Sequence, residues 1–304
     1  MKTISIVIPN YNGEKLLESH LPNVLKYSQS AEIIVVDDAS TDGSIFLLEK
    51  KFPQVHLIKH QQNLGFPMTV NDGFQAASGD FIFLLNSDAY FQNEILEKLS
   101  RHFDDPSLFG VGCLQKTNIG DEIVEEGSGI GFFEKGFFLH RKGDVRSNKT
   151  LWVFGGAGMF RKNIWTKLGG LCPLYSPFYW EDVDISYRAL KSGFSIRFDP
   201  ECVIFHDQNK SIIRTVYSPF QVNCIVYRNQ YLFVWLNISN RKLLFEHILF
   251  LPIHLLKSLM RRNRAHLAGF IEAIKKLPEV VESRKLLSKL WKIDDQKILE
   301  IFKS

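Results

Sequence analysis

Cysteine is scarce: Cys113, Cys172, Cys202 and Cys224 are the four among 304 residues, and no two form a CxxC pair. That excludes a disulfide scaffold and a zinc ribbon, and makes reduced thiols in the cytoplasm the expectation. No GxxxxGK[ST] loop occurs and no GxGxxG follows the first apolar run, so both common phosphate-cradling glycine loops are missing. There is no repeat of roughly 20–50 residues, which argues against solenoids and propellers. A strand-like run already begins at Ile4, with no charged leader, separate apolar segment and cleavage site before it, so a signal peptide is not expected. The longest apolar stretch, residues 243–256, contains Glu246, His247, Pro252 and His254 and falls short of the ~20 apolar residues that span a bilayer.

What remains is globular material, 45% hydrophobic and 23% charged, enough for one large domain with a tail or two modest ones. The charge is uneven. Residues 241–304 hold 14 Lys+Arg against 7 Asp+Glu, a balance of +7, which leaves −3 on the first 240. The basic tail lacks a zinc-finger or RNP-like aromatic pattern, so nucleic acid is not expected as a partner. An anionic membrane surface suits it better. Arg261, Arg262 and Arg264 directly follow the apolar stretch. That stretch reads equally as an amphipathic segment lying on a membrane and as a core helix with a solvated basic face.

Along the first 115 residues the hydrophobic period alternates. Residues 4–8, 33–36, 55–59, 81–85 and 109–114 read as strands. Between them, helical spacing appears at Leu16, Leu17, Leu21, Val24 and Leu25, then to about Lys51 after Ser40, Thr41 and Asp42, over 70–77, and over 93–103. Such alternation predicts an α/β fold, a doubly wound, mostly parallel sheet with helices on both faces. Residues 118–150 carry Gly127, Gly129, Gly131, Gly136 and Gly143 among Phe and charges, the pattern of turns, a hairpin and a mobile loop. Apolar runs at 151–154 and 203–205 bracket a helix-bearing stretch, and from about 215 the pattern is helical, with Leu267, Phe270, Ile271, Ile274 and Leu277 in a stripe.

In a doubly wound sheet, ligands bind outside the carboxyl ends of the strands. Three polar clusters fall there: Pro9-Asn10-Tyr11-Asn12, Asp37-Asp38 and Asn86-Ser87-Asp88. One alone would be a turn or a cap; three at one edge point to a ligand cleft. Without a glycine loop, a diphosphate needs another source of positive charge, and a divalent cation (Mg2+ or Mn2+) on Asp88 supplies it. Asp182 opens a helix and is the candidate general base. Asp184 with Arg188 reads as an i,i+4 ion pair, and His206 by itself as a hydrogen-bonded structural residue.

Taken together, ISIVIPNYN (4–12), IVVDDAS (34–40), Asn63-Leu64-Gly65-Phe66 with Asn71-Asp72-Gly73, GDFIFLLNSD (79–88), GGAGMFR (155–161) and WEDVDISYR (180–188) resemble glycosyltransferase family 2, and its rhamnosyltransferase-like branch in order and spacing. The resemblance implies a GT-A fold, an inverting mechanism, a nucleotide-diphosphate sugar donor and a glycan or lipid-linked glycan acceptor. It further implies that Pro9 and Tyr11 line the base pocket and that Asp38 holds base or ribose; Asn10, Asp37, Asn86 and Ser87 are the remaining donor-binding candidates, and Gly156, Trp180 and Glu181 the acceptor-side ones. Asp182 is then the base, and Asp88 closes the metal motif. His206, followed by Asp207 and Ser211, matches a histidine that completes the metal site in some members. The family's metal motif often begins with Asp where this chain has Asn86, so the metal rests on Asp88. The domains expected are a catalytic unit over 1–214, divided at 115/116 into nucleotide-binding and acceptor-side halves, and a helical, basic extension over 215–304. The expected location is cytoplasmic, peripheral on the inner face of the membrane. A nucleotidyltransferase would need basic residues near the first strand, which are absent; a non-catalytic sugar-nucleotide-binding protein is the rival from another class.

Overall fold

Strands without a polar face must be covered on both sides. In the computed structural model, which describes residues 2–28, 31–119, 122–207 and 213–302, that is how the apolar runs are used. The main sheet contains β1 (Ile4–Asn10), β2 (Glu32–Asp37), β3 (His56–Lys59), β4 (Phe81–Leu85), β5 (Ala89–Tyr90), β6 (Leu108–Ile119) and β7 (Glu122–Glu126). A hairpin of β8 (Gly129–Glu134) and β9 (Phe137–Lys142) stands apart, and β10 (Ala157–Arg161) and β11 (Ser195–His206) return to the sheet. Its order is β3-β2-β1-β4-β10-β6-β11-β5, with β7 on β6. The strands β1, β2, β3 and β4 are parallel, and β6 and β11 run the same way; β10, β5 and β7 run against them.

Alternate residues feed two cores. Ile6, Ile8, Val35 and Phe83 face α1 (Glu14–Tyr27), α2 (Ser44–Lys51) and later α4 (Leu96–Arg101). Val7, Ile34, Val36 and Ile82 face α3 (Phe66–Ala76), α5 (Lys162–Lys167) and α6 (Glu181–Lys191). The expected architecture is therefore present, a GT-A arrangement with helices on both faces.

Several expectations need correction. Residues 151–154, as apolar in sequence as the strands, form none. Leu151 N bonds Gly129 O at 2.7 Å and Val153 N bonds Ser186 Oγ at 3.1 Å, so this buried crossing segment is satisfied locally and the ladder begins later, at β10. The hairpin expected within 118–150 is present as β8–β9, and it is pinned rather than mobile: Phe138 is fully buried against Tyr187 and Phe233. A Cβ on Gly129 would overlap the Trp152 ring, which is why that position lacks one. The stripe from Leu267 to Leu277 does not mark a buried face. The buried side of α10 is instead Ala265, His266, Gly269 and Ala273, and Ile271 and Ile274 are exposed.

The boundary at 214/215 falls inside α7 (Ile213–Val216). Beyond it come α8 (Pro219–Asn237), α9 (Arg241–Met260), α10 (Arg264–Lys275), α11 (Leu277–Leu287) and α12 (Asp295–Glu300). These helices are not an appendage. Tyr231, Leu232, Phe233, Val234 and Leu236 of α8 share a third core with Phe138, Trp180 and Tyr187. Lys191, at the end of α6, is fully buried and donates to Asp295 at 2.9 Å, to Asn237 O at 2.7 Å and to Ser239 Oγ at 2.7 Å. Tyr187 OH also donates to Asp295, which in turn accepts from the Ser239 and Asn240 amides. Removing one partner of a buried pair strands the other's charge. Asp295→Ala is expected to destabilise the fold by about 3–5 kcal/mol, read by urea denaturation; a loss within experimental error would show that α12 does not anchor α6.

Candidate active site

Strand direction gathers the polar clusters at one edge. At the ends of β1 and β2, Asn10 Nδ2 donates to Asp37 Oδ2 at 2.8 Å, and Ser40 donates to the same carboxylate through N at 2.9 Å and Oγ at 2.7 Å. Asp37 is fully buried, and Asn10 and Pro9 are also buried. Asp38 accepts from Leu64 N at 2.8 Å, Gly65 N at 2.9 Å and His60 Nδ1 at 2.8 Å, while His60 Nε2 lies 3.1 Å from Asp72. Both carboxylates are thus tied to the end of β1 and to the chain segments that follow β2 and β3. Tyr11 stays half-buried at the rim. Burial raises the pKa of Tyr217, and the nearby Tyr11 and Asp38 add to the effect, so the short link after residue 216 also reaches this corner.

The Asn86–Asp88 cluster is held from two sides. The two-residue strand β5 pairs with the end of β11, setting His206 opposite Ala89, and Asp207 N donates to Asp88 O at 2.7 Å. His206 Nε2 then lies 2.9 Å from Asp88 Oδ1. Neither Asp88 Oδ1 nor His206 Nδ1 forms a hydrogen bond, although both are buried. From the other side, His20, stacked on Tyr90, bonds Ser87 O through Nδ1 at 3.1 Å. Ser211 lies outside the described residues.

Asn86 connects this loop to the second acidic group. Its backbone N donates to Gly156 O at 3.1 Å, and its side-chain amide fills the space where a Cβ on Gly156 (φ 116°) would stand. One residue earlier, Gly155 N donates to Asp182 Oδ2 at 3.1 Å, and Val183 N donates to Asp182 Oδ1 at 2.8 Å. A single glycine turn thus bridges the Asp88 loop and Asp182. The acidic groups of the two chain halves share one edge of the sheet.

Burial raises the pKa of Asp182 despite the opposing amide donors. Glu181 is buried deeper and its pKa lies well above the usual carboxylate range, from burial first and the Asp182 charge second; its Oε2 has no hydrogen bond. Gly156 and Trp180 are also buried, so with Glu181 they lie behind Asp182, which stays partly exposed at this edge of the sheet. A partly exposed carboxylate with a raised pKa in a cleft is poised to accept a proton. Asp184 has no such freedom: fully buried, it pairs with Arg188 at 2.7 Å and accepts from Tyr175 OH and Asn237 Nδ2. The expected i,i+4 pair is present, but in the core.

Two sets of residues escaped the sequence reading. His140 of β9 has its ring 4.9 Å from Trp180 and 5.2 Å from Trp152, and burial lowers its pKa while Asp182 opposes the shift. A lone His among hairpin aromatics carries no periodic signal. The other set is on α8. Tyr179 and Trp180 adopt left-handed φ values of 71° and 77°, costly for side chains of that size. Asn229 Nδ2 holds the carbonyls of Tyr175, Phe178 and Tyr179 at 3.2, 3.0 and 2.8 Å. Arg228 donates to Ser176 O at 2.5 Å. The strained approach to Glu181 and Asp182 is thus clamped by α8. Asn229→Ala is expected to cost about 1–3 kcal/mol in stability and to lower kcat with KM for donor nearly unchanged; an unaltered kcat would remove the clamp from the catalytic machinery.

The fold and cleft define a protein of the GT-A class. The family model for glycosyl transferase family 2 matches residues 5–168, more than half of the chain, and the chain belongs to that family. Among curated proteins, poly(ribitol-phosphate) beta-glucosyltransferase of Bacillus spizizenii is 39% identical over 100 residues, 31% of this chain and 16% of that protein. The matched stretches span 16% to 41% of the lengths of the first such relatives. Among solved structures, S. aureus TarS 1-349 in complex with UDP-GlcNAc superposes with a TM-score of 0.60 at 16% identity, over 99% of this chain and 89% of that one. GalNAc-T7 with UDP, GalNAc and Mn2+ gives 0.61 at 19% identity, over 78% and 48%. At such identities these two likenesses speak for the fold alone.

Proposed function

We propose that the protein is an inverting glycosyltransferase that moves a sugar from a nucleotide-diphosphate donor to a hydroxyl of a cell-surface glycan. The observation that supports this reading is the glycine turn that joins Asn86 to Asp182, so that the residue read as the base and one read as phosphate-side share an edge of the sheet. The family match favours sugar transfer over nucleotidyl transfer, and the polymer-directed names of relatives such as the Bacillus spizizenii enzyme support a glycan acceptor. The rhamnosyl branch is the narrower reading of the donor, and a panel of nucleotide sugars decides it.

In the proposed mechanism Asp182 accepts the proton of the acceptor hydroxyl as its oxygen attacks the anomeric carbon opposite the leaving diphosphate. Its two amide bonds fix the carboxylate, and Trp180, Phe138 and His140 behind it exclude water. Tyr11 and Tyr217 flank the donor, and Asn86 and Ser87 line its diphosphate end. Asp88 and His206 suit a shared Mg2+ or Mn2+: one hard oxygen and one imidazole converge, both with unbonded buried atoms. No group of three or more His, Cys, Asp or Glu is found among the described residues, so such an ion would rely on the donor's phosphates to complete its shell. When bound it would neutralise charge on the departing diphosphate.

Asp182→Asn is expected to abolish transfer with donor affinity within about twofold, measured by labelled-sugar transfer and calorimetry; substantial turnover refutes the base. Because burial raises the Asp182 pKa, the base form is lost as pH falls through a value above the ordinary ~4. The acid limb of kcat/KM should therefore inflect above that value, and an inflection at or below it would contradict the assignment. Asp88→Ala and His206→Ala should each remove the chelator sensitivity of donor binding, seen by titration with and without EDTA; variants that remain as chelator-sensitive as the wild type would free these residues of a metal role.

A further inference from the structure

Helix α9 has two unlike sides. Toward the protein, His247 is buried with Nδ1 2.6 Å from Gly136 O, His254 Nε2 lies 2.8 Å from Lys135 O, and Glu246 accepts from Gly136 N at 3.0 Å. Leu243, Leu244 and Leu251 pack on the third core. Away from the protein, Phe245, Ile248, Leu249, Ile253, Leu256, Leu259 and Met260 are between 39% and 75% exposed. Their spacing makes one apolar stripe about 22 Å long. The helix runs over 20 residues, longer than its apolar stretch alone, and is long and apolar enough to cross a bilayer by those two measures. Its grip on the hairpin tip argues against that, because a spanning helix would have to leave Gly136 and the third core.

Charge identifies what covers the stripe. Arg241 and Lys242 stand at one end, and Lys257, Arg261, Arg262 and Arg264 at the other, all exposed. Among the described residues none of these six has a carboxylate partner within 4.0 Å, and Glu246, the one carboxylate of α9, faces the hairpin. A second copy laid on this face, parallel or antiparallel, would set cations against cations. An anionic lipid surface meets both the stripe and the charge.

We propose that α9 lies in the plane of an anionic bilayer surface, holding the β8–β9 hairpin and the acceptor side of the cleft against the membrane, where the acceptor hydroxyl is carried on a lipid-linked glycan. The docking stands on α9 alone; the lipid-linked acceptor rests on the glycosyl-transfer reading.

The test floats the full chain with vesicles of phosphatidylcholine, with and without phosphatidylglycerol. Binding is expected only with phosphatidylglycerol, weakening as salt rises and reversed by alkaline carbonate. The triple variant F245E/L249E/L256E should bind about tenfold or more weakly with circular dichroism and donor hydrolysis unchanged, and R261Q/R262Q/R264Q should lose the anionic preference. No flotation of the wild type, equal binding by the triple variant, or resistance to carbonate overturns the proposal. So does a wild-type dimer in sedimentation that the triple variant makes monomeric without any vesicle binding. Flotation in a protein that transfers no sugar leaves the docking standing and fails only the glycosyl-transfer reading. Transfer to lipid-linked glycan no faster than to soluble glycan overturns the acceptor half.

Discussion

The site depends on a turn of four residues at 154–157 that passes between Asn86 and Asp182. The passage is narrow: the Asn86 amide occupies the place of a Gly156 side chain, and Gly155 must present its N–H to Asp182 from beneath the Phe66 ring. Only glycine tolerates both the close approach and the φ of 116°. The parallel strands bring Asn86 to this edge from one side and α6 brings Asp182 from the other, but without the turn the two halves would merely be neighbours. The antiparallel return of β10 lets the turn fall at the carboxyl edge of β4, since β10 begins at Ala157 opposite Leu85, the last residue of that strand.

The buried and half-buried carboxylates divide by how well they are satisfied. Asp37, Asp38, Asp184 and Asp295 are each surrounded by donors and serve as internal ties. Asp182 has two amide donors, yet burial still carries its pKa upward, and Asp88 Oδ1 faces a histidine while forming no hydrogen bond. Acidic motif residues adjacent in sequence can therefore belong to opposite categories: Asp182 meets the cleft while Asp184, two residues on, is a core ion pair. Helix geometry accounts for this, because two residues turn a side chain through about 200°.

The main sheet was legible because fully buried strands leave uninterrupted apolar runs, and the three polar clusters were legible because they terminate those runs. Residues 151–154 misled for the same reason: a buried crossing segment is as apolar as a strand. The contact between His206 and Asp88 left almost no mark in the pattern, since β5 is two residues long and has no period. The α8 clamp was hidden in another way. That helix is apolar nearly all round, so Asn229 and Asn237 read as interruptions rather than as the donors that hold the Asp182 approach and Asp184. Asp37 and Asp38 were placed at the right edge, but nothing local announced that backbone amides and His60 would enclose them.

The tie between Lys191 and Asp295 joins residues 104 positions apart. Until α12 has been synthesised and has left the ribosome, the far end of the α6 helix holds a lysine with no counter-charge beneath Trp291. The helix that carries Asp182 at its start thus takes the counter-charge for its other end from the last helix described, and one ion pair ties the middle of the chain to its final turns.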